Sequence, residues 1–195
     1  MCFDLIYPKG VCEHVFTGLP GIHNVENALA AFSMAYFQGL SASAITDSIA
    51  SFAGVKRRFE YHIKTDRQIY IDDYAHHPKE IEVVIHSVRD LYPNKQLTVI
   101  FQPHLFSRTR DFINDFAKAL SCADKVILLD VYPARELPID GVNSRVLLNK
   151  INVKNKVLYD KSKFPEAIVK SPVIMTLGAG DIDELIQPIK AYLVS

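Results

Sequence analysis

Residues 67–92, RQIYIDDYAHHPKEIEVVIHSVRDLY, change period in mid-stretch. Up to Tyr74 apolar residues alternate, as in a strand. After Pro78 they recur at helical spacing. The run between, DDYAHHP, puts two acids, a tyrosine and two histidines at a strand-to-helix crossing, where α/β folds commonly place their chemistry. Working outward, RRFEYHIKT (57–65) and RQIYIDDY (67–74) are expected strands meeting at a TDR turn. A helix over 79–92 follows, then strand 96–102, helix 109–122, strand 125–131, helix 143–151, strand 156–159, helix 162–169, strand 172–177 and helix 181–193. Strands alternating with helices predict a mostly parallel sheet covered on both faces, with right-handed connections.

The first 55 residues follow a different plan. Residues 3–7 and 11–17 are expected strands around YPKG. NVENALAAFSMAYFQG (24–39) reads as a helix with Asn24 as N-cap and Gly39 as stop. SASAITDSIASFAG (41–54) reads as a second helix with a serine cap and a glycine end. Two strands and two helices are thin for a self-sufficient domain, so this region is expected to be the tail of something larger.

Composition excludes several classes. The 195 residues carry 22 basic and 22 acidic side chains, a formal net charge of zero, with the basic residues scattered apart from KRR at 56–58. That argues against a nucleic-acid or anionic-membrane partner. Cys2, Cys12 and Cys122 have no metal-ligand spacing, and their odd number suits a reducing cytoplasm better than a disulfide framework. No apolar run approaches a membrane span. The start, MCFDLIYPKG, has no basic leader or long apolar stretch, so no signal peptide is expected.

Chemistry is sought at the carboxyl ends of the strands. In DDYAHHP, the side chains of Asp72, Asp73, His76 and His77 suit a metal, a ribose or a substrate amine. The plainer reading is a polar strand end with an Asx turn. Four ionisable groups and a tyrosine in six residues favour function. In FQPHLFSRTRDF, His104, Arg108 and Arg110 suit an anionic ligand, because arginine pairs with carboxylate or phosphate through parallel hydrogen bonds. Ser107 is a candidate helix cap, with the arginines in the first turn, where they oppose the helix dipole. His23, Asn24 and Asn27 read first as a polar helix start. Arg57 and Arg58 read equally as phosphate contacts or as solvated hinge residues. TLGAGDIDEL reads as a tight turn with Asp181 as cap rather than a phosphate loop. YPARELPIDG, whose Arg135 and Glu136 are expected to pair with each other, is assigned no chemistry. No G-x-x-x-x-G-K-[ST], G-x-S-x-G or paired C-x-x-C motif occurs.

Taken in order, PGIHNVENALAA, GVKRRFEY, IDDYAHHPKEI, FQPHLFSRTRDF, DVYPARELPIDGVNS and TLGAGDI resemble the Mur ligases of peptidoglycan synthesis, and within them the members that join L-alanine to UDP-N-acetylmuramate. The motifs run from about residue 20 to residue 182. The resemblance implies a three-domain enzyme of which this chain supplies two pieces. Residues 1–55 would be the carboxy-terminal end of the central ATP-binding domain. Residues 56–195 would be a Rossmann-like three-layer αβα ligase domain. The P-loop and the UDP-sugar domain would lie elsewhere, so the chain is expected to be inactive alone. ATP and Mg²⁺ would be bound mainly outside it. The implied reaction phosphorylates the carboxylate of UDP-N-acetylmuramate, and the amine of L-alanine then attacks the acyl phosphate.

The resemblance also implies roles. His23 and Asn24 would touch the adenine side of ATP, Arg58 its phosphate or ribose, and Asp73 would lie near the ribose. Tyr74, His76, His104 and Arg108 would receive L-alanine, with Arg108 on its carboxylate. Some relatives carry arginine where this chain has Leu105. Three other readings compete: a recycling ligase that adds a whole peptide to the same UDP-sugar, a metal-dependent hydrolase using Asp72, Asp73, His76 and His104, and a binding module without catalysis.

Overall fold

The computed structural model describes residues 1–163 and 171–195, which form two compact units, Met1–Lys56 and Arg57–Ser195. In the first unit, β1 (Cys2–Tyr7) and β2 (Gly10–Phe16) pair antiparallel. They pack with α1 (Ile22–Phe37) and α2 (Ala42–Ser51) around Leu5, Val15, Phe32 and Ile45. Tyr7 meets Phe32 edge-on at 5.6 Å between ring centroids. Ser41 caps α2 by accepting the Ala44 N–H through its hydroxyl oxygen. Asn24 is not the cap of α1. That helix starts two residues earlier, after Gly21 at φ 93°, because a glycine can take the extended, positive-φ entry that Asn24 would have had to supply from its side chain.

The second unit is a six-stranded sheet in the order β3-β4-β8-β5-β6-β7, with β3 (Glu60–Lys64), β4 (Ile69–Asp73), β5 (Leu97–Phe101), β6 (Lys125–Leu128), β7 (Asn155–Leu158) and β8 (Val173–Leu177). Only the edge pair β3–β4 is antiparallel. β4, β5 and β8 are buried along their whole length. That is why β5 and β8 read as nearly unbroken apolar runs, and β4 does so up to Ile71: both faces of a parallel sheet are covered. On one face, Ile71, Val99, Phe101 and Met175 pack against α3 (Pro78–Leu91), α5 (Ile113–Leu120) and α6 (Ser144–Lys150). On the other, Tyr70, Ile100, Ile127 and Ile174 pack against a 3₁₀ turn, Asp181–Leu185, and α7 (Ile186–Val194). No helix among the described residues is long and apolar enough to cross a membrane.

Several expected elements differ. The single helix over 109–122 is two, α4 (Phe106–Asp111) and α5, broken at Phe112 (φ −115°, ψ 21°). The Phe112 ring packs on His77 at 4.8 Å, so the chain turns there between the loop region and the sheet face. Arg108 and Arg110 therefore lie in the last turn of α4, where they complement the helix dipole instead of opposing it. The strand over 125–131 is ladder-paired only to Leu128, the length of its short edge partner β7. The helix over 181–193 opens as 3₁₀. Of the helix expected over 162–169, only residues 162 and 163 are described, in the 3₁₀ turn Lys161–Lys163. The rest lies outside the described residues.

Candidate functional site

β4 delivers Asp72 and Asp73 to the carboxyl edge of the sheet, and both carboxylates are spent inside the protein. Asp72, fully buried, accepts the Arg57 Nε–H at 2.9 Å on one oxygen and the Thr176 hydroxyl at 2.6 Å on the other. Arg57 also donates to the Gly178 carbonyl at 2.7 Å. Asp73, 5% exposed, accepts the Phe59 and Ala75 amides, each at 2.8 Å. Burial pushes the Asp73 carboxyl up from the usual range, against the pull of those two amides. The two acids thus staple residues 57–59 to β4. Arg57 and Phe59 hold left-handed backbone there, at φ 59° and 49°.

That staple separates two neighbouring arginines. Arg57 points inward, while Arg58 is exposed. Their guanidiniums lie 5.2 and 5.8 Å from the centre of the Tyr74 ring.

α3 begins with a cap that no serine or aspartate supplies. Glu80 accepts the His76 and His77 amides at 3.0 and 3.1 Å, and Pro78 opens the helix. This fixes the loop that carries Tyr74 and His76. The His76 Nδ1 lies 3.0 Å from the Tyr74 carbonyl, so it carries the proton and donates. His76 faces Tyr74 at 5.4 Å on one side and His104 at 6.1 Å on the other.

His104 follows β5 and stacks on Tyr132 at 5.6 Å and 21°. Arg108 Nη1 lies 3.4 Å from His104 Nδ1. Arginine can only donate, so this nitrogen accepts and the ring proton sits on Nε2. Burial holds the His104 pKa below its ordinary value, with Arg108 and His76 adding to the effect. The Arg108 guanidinium pairs with no carboxylate among the described residues. Tyr74, His76, His104 and Arg108 therefore form one wall: a cation for an anionic ligand group, flanked by imidazole nitrogens able to donate or accept beside it.

His23 and Asn24 belong to the first unit. The Asn24 amide donates to the Pro20 carbonyl at 2.7 Å and lies 3.1 Å from His23 Nε2. His23 Nδ1 is buried without a hydrogen-bond partner among the described residues.

Some sequence readings fail on geometry. Ser107 does not cap α4; its hydroxyl donates to Glu136. Glu136 is thereby engaged with Ser107 rather than with Arg135. Asp181 caps no helix: it pairs with Lys161 at 2.6 Å and accepts from Gln102 at 2.7 Å. Asp72, Asp73, His76 and His104 do not converge on a metal. Both acids are already committed, and no cluster of three His, Cys, Asp or Glu able to hold one exists among the described residues.

The tight turn at TLGAGD is real. Gly178 sits at φ 144°, and a Cβ on Gly180 would fall 2.5 Å from Gln102 Oε1 and 2.7 Å from Tyr132 Cγ. Tyr132, Glu136 and Glu80 were invisible as site residues. Glu80 alone left a trace, its spacing from His77 in a capping-box pattern.

Comparison with known proteins gives a consistent set of relatives. The family model described as Mur ligase, glutamate ligase domain, matches residues 57–182. The UDP-N-acetylmuramate–L-alanine ligase of Flavobacterium psychrophilum is 52% identical over 193 residues, covering 98% of this chain and 43% of that protein. The Porphyromonas gingivalis protein of the same name is 50% identical over 194 residues, covering 98% and 42%. The crystal structure of a UDP-N-acetylmuramate–alanine ligase from Thermotoga maritima superposes with a TM-score of 0.76 at 29% identity, over 90% of this chain and 39% of that one. A murein peptide ligase from Psychrobacter arcticus shares the fold, at a TM-score of 0.66 and 21% identity, over 96% of this chain and 40% of that one. The chain spans less than half the length of each of these relatives.

Proposed function

Since the chain belongs to the Mur ligase family, with its glutamate ligase domain at residues 57–182, we propose that it is the carboxy-terminal part of an ATP-dependent ligase that joins L-alanine to UDP-N-acetylmuramate. The observation that carries this reading is the wall of Tyr74, His76, His104 and Arg108, whose cation has no internal carboxylate among the described residues. A small amino acid supplies what the wall lacks. Its carboxylate meets Arg108 through charge-assisted hydrogen bonds, and its amine lies beside the imidazoles.

The ring nitrogens then have distinct parts. His76 holds its proton on Nδ1 against the Tyr74 carbonyl, leaving Nε2 as an acceptor. His104, neutral and with its proton on Nε2, is a donor. Held in this way, the amine is oriented for attack on the carbonyl carbon of an acyl phosphate, whose C–O bond breaks to release phosphate as the amide forms, and orientation is a large part of such a rate enhancement. Asp73 serves indirectly: by binding the Phe59 amide it presents the exposed Arg58 for a nucleotide phosphate or ribose. His23 and Asn24 are assigned to the adenine. The wall offers Mg²⁺ no free carboxylate, since Asp72 is engaged by Arg57 and Thr176 and Asp73 by the Phe59 and Ala75 amides. The three cysteines are free, which suits the reducing cytoplasm where we place the enzyme.

The chain contains no P-loop, so activity is expected only on complementation. Mixed with a separately made portion of a relative carrying the P-loop and UDP-sugar regions, plus ATP, Mg²⁺ and UDP-N-acetylmuramate, it should release phosphate in the presence of L-alanine. Arg108→Ala should raise the L-alanine requirement roughly 10- to 100-fold, the worth of a hydrogen bond to a charged group. Release with a tripeptide but not with L-alanine would move the assignment to a recycling ligase. An Arg108→Ala chain that behaves as wild type would remove the wall from the amino-acid site.

A further inference from the structure

α4 carries Arg108 and lies next to His104, yet it has no side-chain cap of its own. Its N-cap position is Leu105, at φ 73°, a conformation that an L side chain adopts only when its surroundings impose it. The constraint comes from another loop, the one between β6 and α6. Tyr132 and His104 form an isolated parallel bridge. The Leu105 amide donates to the Tyr132 carbonyl at 2.9 Å, and the Tyr132 amide to the Pro103 carbonyl at 2.8 Å. Four residues further on, Glu136 accepts the Ser107 amide at 2.9 Å on one oxygen and the Ser107 hydroxyl on the other.

We propose that Glu136 is a positioning residue: reaching across 29 residues of sequence, it caps α4 from outside and, with Tyr132, locks His104 and Arg108 in the orientation that receives the ligand carboxylate. It acts through Ser107 and the α4 backbone, not on the ligand. The brace rests on the functional reading only for the identity of that ligand; its geometry does not depend on it. Ser107's hydroxyl and then its amide hold the Glu136 carboxyl below the usual range, so the brace is charged at neutral pH. Its charge also faces His104. The other groups around that ring are Arg108 from α4, His76 from the β4–α3 loop and the stacked Tyr132. Burial, then Arg108 and His76, make His104 hold its proton less tightly, and Glu136 opposes them.

The test is NMR on the 195-residue chain, reading Ser107 amide exchange and the pH titration of the His104 ring. In Glu136→Ala, Ser107 exchange should quicken roughly tenfold while β5 amides keep their protection. The His104 titration should move to lower pH. Glu136→Gln keeps an acceptor without the charge, so it should restore much of the Ser107 protection and leave His104 shifted. A cap with no electrostatic role would not move His104 in the glutamine variant. Ser107→Ala, which removes one of the two bonds, should give a smaller exchange effect. Unchanged Ser107 exchange in Glu136→Ala, or an unmoved His104 in Glu136→Gln, overturns the proposal. If both respond but Arg108→Ala leaves the L-alanine requirement of the complemented mixture unchanged, the brace stands and the amino-acid reading falls.

Discussion

Arg57 and Arg58 are identical letters in KRRFE, and nothing in that string separates them. The fold does. A positive φ at Arg57 turns its guanidinium onto the fully buried Asp72, with an 11%-exposed side chain, and leaves Arg58 outside. Arg57→Ala would strand a buried carboxylate beside Thr176 alone. Breaking such a pair costs about 3–5 kcal/mol. The expected loss should appear as a lower urea midpoint for β4 and β8 amide signals, whereas Arg58→Ala should leave that midpoint within about 0.5 kcal/mol of wild type. Equal losses in both variants would mean that the ion pair contributes nothing special. Asp72 and Asp73 were similarly indistinct as letters. Both were legible as important, but the metal-ligand option for them required free oxygens. Their actual partners lie 2 to 104 residues away in sequence.

Strands and helices were legible because burial imposes period on sequence. β5 and β8 are apolar but for one threonine each, β4 is apolar up to its two aspartates, and α3 shows its stripe. Element ends were less so. Where the cap is local, as with Ser41 on α2, the letters announce it. Where the cap comes from elsewhere, as with Glu136 on α4, they do not. The turn after β8 is a second case. Gly178 and Gly180 looked like a tight turn, but their necessity comes from Gln102 and Tyr132 on other elements. Gly180→Ala would press a methyl group against both. Overpacking of this kind costs about 1–3 kcal/mol. Besides the lost stability, the Tyr132 ring should shift off His104, changing the ring-current shift of the imidazole protons. A variant with wild-type stability and unchanged imidazole shifts would show that the turn has slack.

Stability of the second unit against acid should follow a small set of carboxylates. In Glu80 burial pushes the pKa up, but the His76 and His77 amides and the His76 ring outweigh it and hold it low. In Asp124 burial is likewise outweighed by Arg89 and the Leu97 amide, and in Asp181 by Lys161 and Gln102. A carboxyl with a lowered folded pKa binds protons less readily than in the unfolded chain. Its contribution is therefore present above the ordinary value of about 4 and is lost as pH falls below it. Asp73 has the opposite sign, since burial raises it: the folded state holds that proton more tightly, so its protonation favours the fold as pH falls towards about 4. With Glu136 also held low, the losses outnumber the one gain and predict a urea midpoint that drops below about pH 4. A midpoint flat from neutral pH down to about pH 3 would refute the assignment of these pairs. What one-dimensional pattern could settle was the alternation of strands and helices, the parallel sheet, and the polar loops at the carboxyl ends of the strands. Each of these depends on residues near one another in sequence, through period, turn residues and apolar runs. What required the folded chain was the order β3-β4-β8-β5-β6-β7, the burial of Arg57 and the brace from Glu136 to α4. These are pairings between distant segments, made only when packing of the sheet brings its carboxyl-edge loops within hydrogen-bond reach.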